Sequence, residues 1–460
     1  MEFARLTRAR NIFDLVSQRN PSMPSTELDT HEKALAINLD QTIFGSFAEI
    51  GAGQEVARWF LQVGAASGTV AKTVSAYDKE VSDDLYGAGT RYVSIQRLEA
   101  MLDREWNQLL TQLQKSRGPS TRFFSFANTV SARNFAGTNE CHGWIGIRFQ
   151  DSPRGEPHDV ILHVSLKDPS NVLQQEVTGV LGVNLIYAVF HQRETKETFL
   201  KALLDQASVQ RVEIDFIDVR GSRFGSWNSS DLLRSLVLEG LAEAVVLPAG
   251  NRSGPPNELL RKRPIVLAPI VVDLQPTHRE ILSSAISRLK AEAGEGAREP
   301  LGLFAVSTAR PDLLHAGLKP IDLSSGVEEL RALGADVLIS SYSDLYGMTS
   351  FVNRYTQAQV RFAVGLPALI SIFSEAYGHL EGRLLEALSR LFSQNVRVYV
   401  FPLAVSALQA SPNLKLDASW QWQATDGWIS AEQLHPPPPL GHLYAYLLAS
   451  KFIVPMRDAV

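Results

Sequence analysis

Residues 43–63 read IFGSFAEIGAGQEVARWFLQV, and this stretch sets the fold class. Ile43–Ile50 is an apolar run of strand length. Gly51 and Gly53 then break it, and Gln54–Val63 continues with Val56, Phe60 and Val63 at helical spacing. A strand that turns on glycines into a helix is the building unit of α/β proteins.

Outward from this unit the same grammar repeats. Thr69–Tyr77 reads as a second strand. Ile95–Leu113 reads as a helix whose Leu98, Met101, Leu102, Trp106, Leu109, Leu110 and Leu113 form one stripe. Phe123–Val130, Trp144–Phe149, Val160–Leu166 and Val212–Val219 read as strands. A helix is expected after Asp168-Pro169-Ser170, since Pro and Ser suit a helix start. Ser230–Leu241 follows as a helix and Ala244–Leu247 as a short strand.

In the second half, apolar strands at Ile265–Val272, Leu301–Val306, Val337–Ser341, Val360–Val364 and Val396–Phe401 alternate with helices. Strands apolar throughout and separated by helices belong to parallel sheets covered on both faces. The fold class expected is therefore α/β, with a mixed-sheet Rossmann-like N-terminal domain and a doubly wound, mostly parallel C-terminal domain. The expected organisation is an N-terminal surface segment over residues 1–30, a domain over 31–250, a linker over 251–263 and a second domain over 264–460. The linker is placed by PAGNRSGPPNELLRKRP (Pro248–Pro264), rich in Pro, Gly and basic residues.

Composition narrows the function. In 460 residues, 44 Lys and Arg stand against 49 Asp and Glu, a net charge of -5, which argues against a dedicated nucleic-acid binder. A single cysteine, Cys141, excludes a disulfide framework and a multi-thiolate metal site. The ten histidines form no close HxH or HxxxH pair, so no metal centre is expected. No apolar run looks long enough to span a membrane and the N-terminus lacks a secretory core, so the expected location is cytoplasmic.

Three places carry candidate chemistry. The Gly51–Gly53 turn could let backbone approach a pyrophosphate at a helix N-terminus, with Asp78, past the second strand, on a ribose. The expected cofactor there is a nucleotide or dinucleotide. Between two strands, Arg133-Asn-Phe-Ala-Gly-Thr138-Asn139-Glu140-Cys141-His142 gathers an arginine for an anion with a carboxylate and an imidazole that can move protons. Glu140, His142 and Lys167 are the candidate catalytic residues, and Gly51, Gly53, Asp78 and Arg133 the candidate ligand-binding ones. His158 and His163, five apart on one strand, should face opposite sides. At the second domain's strand ends, Ser307-Thr308-Ala309-Arg310 and Ser340-Ser341-Tyr342-Ser343 offer hydroxyls and an arginine for a phosphate.

Together with Val337-Leu-Ile-Ser-Ser-Tyr342, Arg354-Tyr355-Thr356 and Leu380-Glu-Gly-Arg-Leu-Leu-Glu-Ala387, the Phe47–Phe60 and Gly137–Trp144 stretches resemble a full-length uncharacterised bacterial family. Its members carry inconsistent automatic labels, nicotinate-nucleotide adenylyltransferase or TonB-dependent receptor. The first label implies a Rossmann-like sheet and a nucleotide substrate. Of that class's motifs, GxFxPxHxGH has no counterpart, and only Ser307-Thr308-Ala309-Arg310 partly resembles SxTxxR. The second label implies a barrel, whereas this chain reads as rich in helices. The residues themselves point to an enzyme binding a nucleotide, dinucleotide or phosphorylated metabolite, acting on a small molecule without nucleic acid or membrane, and able to form a homo-oligomer. The competing expectation is a non-catalytic scaffold whose glycine turn is purely structural.

Overall fold

In the computed structural model, residues 28–89, 91–250, 252–270, 276–294, 296–309, 322–373, 377–393, 395–410 and 416–457 are described. The N-terminal surface segment expected over residues 1–30 lies almost wholly outside them. The chain divides into two compact units, Met1–Ala242 and Glu243–Val460. Both are α/β.

The first unit is built on a six-stranded mixed sheet. Its elements in chain order are α1 (Thr30–Leu39), β1 (Ile43–Gly51), α2 (Val56–Gln62), β2 (Val70–Ala76), α3 (Lys79–Tyr86), α4 (Ile95–Leu113), β3 (Arg122–Ser131), β4 (His142–Gln150), β5 (Pro157–Leu166), α5 (Asn171–His191), α6 (Lys196–Leu203), β6 (Val212–Arg220) and α7 (Ser229–Leu238). The strand order is β2-β1-β3-β4-β5-β6. β1 runs parallel to β2 and β3, and the remaining pairs are antiparallel. β1, β2, β3 and β5 thus end at one edge of the sheet, where β4 and β6 begin.

Helices cover both faces. Gly182 of α5 sits so close to Val56 and Phe126 that a Cβ would collide with them, which places α5 and α2 on the Phe126 face. Leu98 and Leu102 of α4 lie over Gly146 on the opposite face. The helix starts follow local chemistry. Asp29 and Glu32 form a capping box at α1, while Ser94 and Ser170 cap α4 and α5. Lys33 of α1 is only 1% exposed. Its ammonium donates to Asn184 Oδ1 at 2.9 Å and Asp205 Oδ2 at 2.7 Å, so its buried charge is paired. At 21 residues, α5 is long and apolar enough to cross a membrane, which the sequence reading missed; most of it is buried inside the unit.

The second unit carries β7 (Ala244–Leu247), α8 (Pro256–Leu259), β8 (Ile265–Ile270), α9 (Pro276–Ala293), β9 (Leu301–Ser307), α10 (Ser325–Ala332), β10 (Asp336–Ser340), α11 (Leu345–Asn353), β11 (Val360–Gly365), α12 (Leu366–Ile372), α13 (Arg383–Leu391), β12 (Val396–Phe401), α14 (Leu440–Ala449) and β13 (Ile453–Pro455). Its sheet order is β13-β12-β11-β8-β9-β10-β7. The chain winds from β8 through β9 to β10, then returns to β11 on the other side of β8, giving a doubly wound sheet. Only β7, at the edge, is antiparallel.

This pairing corrects the expected boundary. The sequence places Ala244–Leu247 in the first domain, but it bonds to Asp336–Ser340 of the second unit's sheet. The stretch 251–263 is not a free linker either: it contains α8, and Leu260 is buried in the second unit's core with Leu267, Phe362 and Val398.

Candidate functional site

The glycine turn has a structural cause. Gly51 is at φ +72, and a Cβ on Gly53 would overlap the Asn128 side chain. Asn128 Nδ2 donates to Gly53 O at 2.9 Å and to Glu49 Oε1 at 3.1 Å. The Glu49 carboxylate in turn accepts the Val56 and Ala57 N–H groups at 2.9 and 3.1 Å. These are the helix-start donors a phosphate was expected to use. An incoming phosphate meets an internal carboxyl already in place. Burial pushes Glu49 up to about 7, against the downward pull of those backbone bonds and of Asn128. Asp78, the expected ribose acid, is the N-cap of α3 and accepts from Glu80 and Val81. Gly51, Gly53 and Asp78 are therefore occupied in folding the chain.

Polar chemistry collects instead at the edge where β4 and β6 begin and β5 ends. His142 pairs across from Ser165, and Ser165 pairs across from Glu213. A β-bulge interrupts the β5–β6 register between His163 and Val164. The extra residue it leaves in β6 is Asp215, which turns toward β5.

The result is a buried hydrogen-bonded chain. Asp215 Oδ1 lies 2.5 Å from His163 Nδ1, and His163 Nε2 lies 3.0 Å from His142 Nδ1. Ser165 Oγ donates to the other carboxylate oxygen of Asp215 at 2.9 Å. Asp215 is 1% exposed and His163 0%, whereas His142, at 7%, is the member nearest solvent. Trp144 and Phe216 wall the chain in, Trp144 standing edge-on to His163 at 4.9 Å. Beside it Lys167 and the fully buried Glu213 form an ion pair at 3.0 Å.

The tautomers follow from donor–acceptor accounting. With Asp215 ionised and both rings neutral, His163 carries its proton on Nδ1, because a carboxylate only accepts. His163 Nε2 must then accept, and His142 donates to it from Nδ1. In that tautomer the unprotonated nitrogen of His142 is Nε2.

Of the expected catalytic residues, His142 and Lys167 come to the same face at the same edge. Glu140 lies exposed in the preceding loop, and Cys141 is half-buried with its thiol 3.8 Å from Asn139 O. Arg133 is exposed, its guanidinium folded over Gly137, and its backbone N–H is held by Gln174 Oε1 at 2.9 Å. Sequence alone marks none of Ser165, Glu213 and Asp215, and reads His163 only as facing away from His158. Strand alternation could have put Ser165 and His163 on one face, but the bulge that turns Asp215 toward them carries no sequence signal. His158 and His163 do face opposite ways: His158 packs on Phe149 and Phe224, His163 on Trp144.

Of the second unit's strand-end hydroxyls, those of Ser307, Thr308 and Ser341 bond internally, whereas the buried Ser340 Oγ has no hydrogen-bond partner among the described residues. Ser307 Oγ donates to Tyr342 O at 2.5 Å and Thr308 Oγ1 to Ser340 O at 3.3 Å, while Arg310 lies outside the described residues. Among the described residues, no group of three His, Cys, Asp or Glu side chains is arranged to hold a metal ion.

No family model and no curated protein matches this chain. Some solved structures align with part of it. The competence/damage inducible protein CihA from Agrobacterium tumefaciens is 18% identical with a TM-score of 0.26, over 36% of this chain and 99% of that one. A CinA superfamily protein from Enterobacter cloacae is 12% identical with a TM-score of 0.28, over 38% and 99%. A competence or damage-inducible protein from Enterobacter asburiae is 14% identical with a TM-score of 0.27, over 35% and 99%. Likeness of this degree carries no inference about function.

Proposed function

We propose that this chain is an enzyme acting on a small phosphorylated molecule, a nucleotide or dinucleotide among them, with His142 as its acid–base residue. The observation that supports this reading is the buried Asp215–His163–His142 chain. When His142 Nε2 takes a proton from a substrate hydroxyl or a water, its Nδ1 proton can pass to His163 and the charge is balanced by Asp215. Buried carboxylate–imidazole chains orient the base and stabilise the imidazolium that forms. Arg133 stands on the neighbouring loop as a cation for an anionic group, while Lys167, one residue past the end of β5, is paired with the buried Glu213. Cytoplasmic location and self-association belong to the same proposal.

The test is a turnover screen of nucleotides and phosphorylated metabolites, with ligands first sorted by the rise in melting temperature that native-state binding produces. His142→Gln should lower turnover of the active compound by about a hundredfold or more, the range of general acid–base catalysis. Turnover unchanged in His142→Gln refutes the assignment. A second reading, a non-catalytic scaffold, is favoured by the glycine turn, whose donors and space are taken by Glu49 and Asn128. It predicts no turnover of any compound and no change on replacing His142.

A further inference from the structure

The loop between β3 and β4 presents a phenylalanine outward. Phe135 is wholly exposed, the most exposed large apolar side chain among the described residues. The loop is held by its own polar groups. Asn134 N–H donates to Asn139 Oδ1 at 2.7 Å, Thr138 N–H to Asn134 Oδ1 at 3.0 Å, and Asn139 Nδ2 to Ala132 O at 2.7 Å. Gly137 supplies a left-handed turn at φ +67, and Gln174 bolts Arg133 to the first turn of α5. The ring is thus displayed by an ordered support at the same sheet edge as His142.

We propose that the substrate of the His142 site carries a nucleobase, which stacks on Phe135 while its phosphate is drawn to Arg133. This rests on the acid–base reading above and adds the substrate class. A lone ring set among Arg133, Asn134, Thr138, Asn139 and Glu140 suits a planar ligand face. A docking protein would ask for a contiguous apolar patch. A base and an aromatic ring stack without demanding hydrogen bonds, and a nearby arginine fits the phosphate that a nucleotide brings.

The test is calorimetric titration of the full chain with adenosine 5′-monophosphate and with ribose 5-phosphate, which lacks the base. The monophosphate should bind more tightly. Phe135→Ala should weaken it about fivefold or more while leaving ribose 5-phosphate unchanged, and Phe135→Trp should retain it. Equal binding of the two probes, no binding of the base-bearing probe, or indifference to Phe135→Ala overturns the stacking assignment. So does a monomer–dimer equilibrium that Phe135→Ala abolishes, which would make the ring a contact for a second copy. The two readings fail separately. Loss of turnover in His142→Gln with no effect of Phe135→Ala sinks only the nucleobase. Phe135-dependent binding with no turnover dependent on His142 sinks only the acid–base role.

Discussion

At the scale of single residues, two buried carboxyls serve different ends. Glu49, held up near 7 by burial, keeps its proton in the folded protein at pH values where the unfolded chain has lost it. The folded state then binds the extra proton between the ordinary glutamate value of 4.5 and about 7. The stabilisation is full below the lower value and disappears as pH rises through the upper one, amounting to roughly 3 kcal/mol. Denaturant melts of the protein and of Glu49→Gln at pH 5 and pH 8 should show the native protein losing stability relative to the variant as pH rises. A pH-independent difference contradicts the buried neutral acid. Asp215 is the other case, an acceptor for both His163 and Ser165. Asp215→Asn offers an amide N–H to His163 Nδ1, so both imidazoles should flip tautomer and His142 Nε2 should become an N–H donor. Nitrogen-15 spectra of the imidazoles read this directly, and His142 Nε2 remaining unprotonated in the variant would dismiss the relay. Ser165→Ala strips one donor from Asp215 and should cost about 1–3 kcal/mol of stability without flipping either ring.

At the scale of elements, every strand of the first sheet is legible in the sequence, and α4 is legible because one stripe covers its whole length. Helices α1, α3 and α6 are not. Lys33, Asn38, Ser82 and Thr198 interrupt their short patterns, and it is capping by Asp29, Asp78 and Thr195 that starts them. The candidate site is half legible. His142 and Lys167 stand out as chemistry beside strands, but their partners come from register, which one strand's residues do not contain. α5 shows how packing rewrites propensity. Gly182, poor in a helix, is where α5 approaches Val56 and Phe126 too closely for any side chain. Gly182→Val improves the local helix yet should destabilise the protein by about 1–3 kcal/mol through overpacking. An unchanged denaturation midpoint would mean that the two helices can part at no cost.

For the whole molecule, sequence composition misplaces the division because Pro and Gly mark turns, which occur inside units as readily as between them. Pro255 and Pro256 begin α8, and Leu260 just beyond it is core. What assigns a segment is where its hydrogen bonds go. Val245 and Val246 bond across to Ile339 and Leu338, so this apolar strand is an edge of the second sheet. In the first unit, Leu241 O instead accepts from Ile214 N–H at 2.9 Å, tying the last residues before the division back to β6. A chain ending at Ala242 should therefore remain soluble and give a cooperative melt. One ending at Gly250, the boundary that composition indicates, carries Ala244–Leu247 as an unpaired apolar strand, a template for association. It should aggregate or self-associate in sedimentation at equal concentration. Equal solubility of the two chains would mean that β7 finds cover without β10. The complementary chain beginning at Arg252 lacks the strand that shields β10, and it should show the same association from the other side of that pairing.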